Sequence, residues 1–293
     1  MSRHDRWGRI GVWSAAWTEA QRSGDEVMTG EFADAAAELD ELGYGTLWLG
    51  GGPAVTYARP LLQTTSRMTV ATGILSIWQH EAAEVAAQRA ELEREFPGRF
   101  VLGLGVSHSR LAKDYAHPYS AMTEYLSALD SAADPVPVRD RVLAALGPRM
   151  LALARDRAAG AHPYLVTPEH TAQAREILGA DAVLAPEFKA VLDTDPARAR
   201  AAARGHLDLY LQLPNYTSNL LRLGFTEDDF REGGSDRLLD AVFAMGDETA
   251  IARRAAAYLD AGADHLAVQV VTGEPGLPRE QWRRLAAALP LEA

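Results

Sequence analysis

Short apolar runs alternate with amphipathic stretches along almost the whole of this chain. Runs that read as strands occupy residues 8–13, 45–50, 68–75, 100–105, 139–146, 161–166, 183–192 and 265–271. The stretches between them carry helical spacing. Phe32, Ala36, Leu39 and Leu42 fall on one face, and Gly43 follows as a left-handed C-terminal cap. Thr167, Pro168 and Glu169 read as a side-chain cap, a proline in the first helical turn and an acid at the positive end of the helix dipole. Ile251, Ala255, Tyr258 and Leu259 repeat the spacing before Gly262. Eight strands with interposed helices predict a (β/α)8 TIM barrel rather than a doubly wound sheet.

Residues 193–246 are too long for one barrel helix. Residues 196–207 and 238–243 read as helix, and 214–223 and 226–230 as short pieces, so the segment is an insertion before the last helix and strand. It either covers the barrel mouth or builds a dimer surface. The chain is expected to be a single barrel domain over residues 1–293 with 193–246 as an inserted helical region, without repeats, low-complexity tracts or linkers.

Composition narrows the chemistry. A length of 293 residues at 47% hydrophobic content is ample for a large core. The absence of cysteine excludes disulfides, thiolate nucleophiles and cysteine-ligated metal. A net charge of -11 argues against nucleic acid as a main partner. No run approaches the ~18 apolar residues of a membrane span, and the charged start MSRHDRWGR has no apolar stretch of a signal peptide, which predicts a cytoplasmic protein without a membrane partner. Only Lys113 and Lys189 are lysines, both expected at the surface, so Schiff-base chemistry has two candidates.

In a barrel of this kind the site is built at the carboxyl ends of the strands. The stretch FVLGLGVSHSR, beginning at Phe100, is a buried apolar strand that ends in polar groups, and it delivers His108 to such an end. His162, at the end of the sixth run, is the second candidate for proton transfer. His80, His117 and His170 are assigned to the surface. No metal site is expected, since neither H-x-H nor H-E-x-x-H spacing occurs. The motif ALGPRM, from Ala145 to Met150, has two readings. One is an anion site in which glycine and proline open a helix whose free N–H groups, with Arg149, face the mouth; the other is a plain turn with a surface arginine. The glycines of GGGP, from Gly50, serve either a turn of positive φ or the approach of a flat ligand to the backbone.

Taken in order, GRIGVW, ELGYGTLWLG, TVATGILSIW, PGRFVLGLGVSHSRL, VLAALGPRMLALARDRAAGAHPYLVTPEHT and AYLDAGADHLAVQV resemble the luciferase-like monooxygenase superfamily, most of all its branch of probable coenzyme F420-dependent oxidoreductases. The resemblance implies a barrel that binds a flavin or deazaflavin across its mouth, usually as a homodimer, and the expected reaction is hydride transfer between coenzyme F420 and a small, electron-poor organic substrate. It also implies a non-prolyl cis peptide at Gly73–Ile74 behind the cofactor ring, a loop of Gly105, Val106, Ser107 and His108 beside it, and a phosphate-binding turn of Gly147, Pro148, Arg149 and Met150. Relatives commonly carry an acid or histidine where this chain has Gly50, Gly51 and Gly52, which leaves His108 as the first candidate for proton transfer. Trp13, Trp48, Ile74 and Trp78 either wall the ring or fill the core. The alternatives are an FMN-dependent monooxygenase, a catalytically silent flavin- or deazaflavin-binding barrel, and a Schiff-base aldolase on Lys189.

Overall fold

The computed structural model describes residues 6–23, 30–107, 116–274 and 276–291. Its strands are β1 (Ile10–Ser14), β2 (Thr46–Leu49), β3 (Thr69–Thr72), β4 (Leu75–Ser76), β5 (Phe100–Gly105), β6 (Arg141–Leu143), β7 (Gly160–Ala161), β8 (Val183–Leu184), β9 (Glu187–Val191), β10 (Phe243–Met245) and β11 (Leu266–Val270). All paired strands are parallel, in the order β10-β9-β11-β1-β2-β3-β5-β6-β7-β8, with β4 continuing the β3 run onto β5.

The ring closes through the segment from Val183 to Val191. On one side of it Ala185 N donates to Ala161 O (2.9 Å) and Glu187 N to Pro163 O (2.8 Å); on the other, Asp264 N donates to Leu184 O (2.9 Å) and Ala267 N to Pro186 O (3.0 Å). Strands β8 and β9 are therefore two parts of one barrel strand. Pro186, which has no N–H, sits at the joint. With β4 an extension and β10 an addition, the cylinder is the expected (β/α)8 TIM barrel.

The caps read from the sequence are present. Gly43 has φ 92°, Gly262 has φ 103°, and Thr167 accepts from the backbone N of His170. The inserted region differs at one point: its last helix, Asp236–Val242, ends a residue early, and Phe243 starts β10 beside β9. Phe243 then packs with Leu239, Val242 and Val191 in the region's own apolar cluster. A further helix, Arg279–Ala286, follows β11 and stacks Trp282 on Trp17 at 5.7 Å.

The lower barrel is filled by aromatic rings. Trp48 stacks on Trp7 (5.7 Å) and on His162 (4.1 Å, 10° between planes), and its indole N–H donates to His265 Nε2 (2.9 Å). Adjacent strands approach closely where they supply glycine. A Cβ at Gly103 would lie 1.9 Å from Thr72 O, and one at Gly160 would lie 1.8 Å from Val183 O. The interior is a packed core rather than a pore, so a ligand has room only at the mouth.

Asp40 anchors the approach to β3. Its carboxylate accepts from Ser66 N (2.7 Å), Ser66 Oγ (2.9 Å) and Met68 N (2.7 Å). Burial raises its pKa, but these hydrogen bonds outweigh it and hold the group below its ordinary value. A lowered folded-state pKa gives stability that is present above the unfolded value of about 3.9 and is lost as pH falls through the folded one. Asp40→Asn should therefore cost about 2 kcal/mol at neutral pH. Urea unfolding at neutral and acid pH checks this, with the gap between variant and wild type closing on the acid side.

Candidate active site

At the carboxyl ends of the barrel strands lies a cavity of about 1200 Å³. Gly73, Ile74, Gly105, Val106, Ser107, Gly147, Pro148, Arg149, Met150 and His162 all line it. Residues from four segments far apart in sequence thus share one space. His108 lies outside the described residues. The insertion contributes Tyr210, Leu213, Asn215, Tyr216 and Arg222 to the same walls, so it covers part of the mouth. Asn215 ties it to the β5 end by donating to Ser107 O at 3.2 Å.

The wall at Trp13 explains the glycine run. A Cβ on Gly50 would fall 2.3 Å from the Trp13 indole, whereas Gly51 (φ 74°) and Gly52 (φ 72°) make a turn whose carbonyls accept from Arg22. Gly51 and Gly52 thus bear out the turn of positive φ, and at Gly50 a tryptophan of this chain, not a ligand, lies against the backbone. Trp13 Nε1 donates to Gly73 O (2.9 Å), and the Gly73–Ile74 peptide is cis. Of the other candidate ring walls, Ile74 reaches the cavity, Trp48 is fully buried beneath it, and Trp78 donates to Val106 O.

His162 forms part of the floor and is 1% exposed. Its Nδ1 lies 2.7 Å from Ala185 O, a carbonyl that only accepts, so the ring proton sits on Nδ1. Nε2 is then a bare acceptor, buried and without a partner. Burial lowers the ring's pKa to about 4. The ring is neutral at ordinary pH, with an acceptor rather than a proton at Nε2. Ser76 Oγ is a second buried, unpartnered polar atom on the cavity wall.

The turn at Gly147 opens the helix Pro148–Arg157 without a side-chain cap. The amides of Arg149 and Met150 have no acceptor within the helix. Arg149 lies over the Tyr119 ring at 4.4 Å. From the inserted helix Pro214–Arg222, the Arg222 guanidinium reaches to 3.8 Å from where a Gly147 Cβ would stand, and it donates to Asn219 Oδ1 (2.9 Å). Neither arginine has a carboxylate partner among the described residues. Two cations without a carboxylate partner and free amides at a helix N-terminus favour an anion, as in the first reading of ALGPRM, while Arg149 itself is exposed, as in the second.

Two surface assignments are corrected. Lys189 is wholly buried, with its ammonium 2.7 Å from Glu187 Oε2 and 3.7 Å from the Tyr164 ring centroid. Burial pulls it down to about 8, while the facing carboxylate favours its charge. It adds no surface to the cavity, which leaves an aldolase without an accessible amine. His170 is 3% exposed, since it lies on the inner face of its helix with Nε2 donating to Leu146 O (2.9 Å). His80 is partly buried at the cavity edge and His117 is exposed. Sequence reasoning missed Arg222, Tyr210 and Tyr216, which are distant in the chain from every strand end. Among the described residues no cluster of His, Asp or Glu could hold a metal ion, and no helix is long and apolar enough to cross a membrane.

The fold has many counterparts among solved structures. An F420-dependent secondary alcohol dehydrogenase, in complex with an F420-acetone adduct, matches with TM-score 0.71 and 12% identity, over 97% of this chain and 98% of that one. The coenzyme F420 dependent tetrahydromethanopterin reductase from Methanopyrus kandleri matches with TM-score 0.73 and 15% identity, over 96% and 98%. A type II Baeyer-Villiger monooxygenase, the oxygenating constituent of 3,6-diketocamphane monooxygenase from the CAM plasmid of Pseudomonas putida in complex with FMN, matches with TM-score 0.66 and 13% identity, over 97% and 99%. No curated protein matches the sequence. The model of the luciferase-like monooxygenase family matches residues 9–287, nearly the full length, and the chain belongs to that family.

Proposed function

We propose that this protein is an oxidoreductase that binds coenzyme F420 across the barrel mouth and transfers hydride between it and a small organic substrate. The observation that carries the reading is the joining, in one cavity, of the anion cradle at Gly147 to a floor with a buried, unpartnered acceptor at His162 Nε2. A phosphorylated planar cofactor fits both. Its phosphate would take the amides of Arg149 and Met150 and the guanidinium groups of Arg149 and Arg222, and a ring or side-chain N–H or O–H would meet His162. The choice of F420 rests on the sequence resemblance, and two of the solved neighbours are described as F420-dependent.

When bound, the deazaflavin supplies the hydride chemistry. The chain supplies orientation and a dry site. Gly73, Ile74, Gly105 and Val106 offer one wall along which a flat ring can lie, with Trp13 packed where a Gly73 Cβ would point and Ile74 where a Gly105 Cβ would. His162, neutral and fixed by Ala185 O, holds its partner by accepting. Proton transfer to or from the substrate is assigned to His108, the residue after Ser107, which itself lines the cavity.

Fluorescence titration of the purified protein should show F420 binding about tenfold or more tighter than FMN, a gap of about 1.4 kcal/mol. The reverse order would make the protein an FMN enzyme. Arg149→Ala and Arg222→Ala should each weaken F420 about tenfold and flatten the dependence of affinity on salt. Affinity equal to wild type in both would place the phosphate elsewhere.

A further inference from the structure

The part of the cavity walled by the inserted helices has a chemistry that cofactor binding does not use. Four aromatic rings meet there around Tyr164. Its centroid is 5.3 Å from Trp13, 5.3 Å from Tyr210 and 5.8 Å from Tyr216, and Tyr210 and Tyr216 are 5.4 Å apart. All four side chains line the cavity.

Three of these rings have their polar ends committed within the protein. Tyr164 donates to Gln269 Oε1 (2.8 Å), so the proton between the Tyr164 and Tyr210 hydroxyls, 2.7 Å apart, comes from Tyr210. The indole N–H of Trp13 is held by Gly73 O. None of the three keeps a donor for a carboxylate or phosphate. Burial raises the pKa of Tyr164 and Tyr210, so both hydroxyls stay protonated and neutral.

A cation is disfavoured for a different reason. Aromatic walls ordinarily attract ammonium groups through the negative faces of their rings. Here the protein's own ammonium has taken that place: Lys189 Nζ lies 3.7 Å from the Tyr164 centroid and 5.5 Å from that of Tyr210, without adding to the cavity surface. Glu187, at 2.7 Å, holds it charged. A second cation in the chamber would find the faces of these rings already engaged by Lys189.

We infer that this aromatic chamber receives the substrate and that it selects a neutral, flat ring compound over a cation or an anion. The inference rests on the reading of the remaining cavity as the cofactor's, and it names Trp13, Tyr164, Tyr210 and Tyr216 as the residues that determine specificity, with Lys189 as the buried group that excludes cations. The tilted and edge-on geometry of the four rings suits an aromatic guest, which stacks on one wall and meets others with its edge.

The test compares three probes of one ring system, namely naphthol, naphthoate and naphthyl trimethylammonium, by equilibrium dialysis against the wild-type protein with and without saturating F420. Naphthol should bind about tenfold or more tighter than either ion, at the energy expected for contact with several rings. Tyr216→Ala should reduce naphthol binding at least as strongly while leaving the F420 titration unchanged. The double variant Glu187→Gln with Lys189→Met, which removes both charges together, should raise the affinity for the ammonium probe toward that of naphthol. An ammonium or carboxylate probe that binds the wild type as tightly as naphthol overturns the inference, as does naphthol binding that is lost when F420 is added. A protein that binds naphthol selectively but not F420 would keep the chamber and remove the cofactor reading, so the two failures are distinct.

Discussion

The site depends on the ring stack that closes the barrel from below. Trp48 is central to it, lying between Trp7 and His162 and donating to His265, whose Nδ1 in turn donates to Gly8 O at 2.7 Å. The carbonyls at both histidines fix their tautomers, and burial keeps both rings neutral, each lowered to about 4. Interdigitated rings of this kind leave no passage through the cylinder. Every ligand must therefore enter at the carboxyl-terminal mouth, and the upper surface of the stack is its floor.

What is built on that floor combines two unlike surfaces. The turn at Gly147 and the two arginines gather positive charge in a protein whose net charge is -11, which makes the cradle a local exception in an acidic molecule. The ring cluster around Tyr164 offers surface and little hydrogen-bonding capacity. The insertion takes part in both, with Arg222 in the first and Tyr210 and Tyr216 in the second. It therefore contributes to both surfaces while leaving the barrel strands intact.

Much of this was legible in the chain because barrel strands are buried on both faces and leave continuous apolar runs. The runs at 8–13, 45–50 and 100–105 correspond closely to β1, β2 and β5. The run at 183–192 spans both β8 and β9, which Pro186 divides, whereas β10 is too short to leave a pattern after a helix of the same apolar character. The strand-end positions followed from topology and converge on one cavity. Arg222 and the two tyrosines are brought there by tertiary packing of the insertion, for which no local spacing gives notice. Lys189 and His170 did leave signals. Glu187 and Lys189 alternate on one face of a strand, and His170 shares a helical stripe with Ala174 and Leu178, both buried. A general expectation that lysine and histidine face solvent outweighed those patterns.

The most direct test of a dry, ring-packed floor is the protonation of His162 in the unliganded protein, followed by nitrogen NMR from pH 5 to pH 8 with His162→Gln used to assign the signal. The packing described here predicts a neutral ring with its proton on Nδ1 throughout, as expected for a pKa near 4. A ring that titrates near its ordinary value of about 6.5, or that carries its proton on Nε2, would show that water or another donor reaches the floor and would contradict the account.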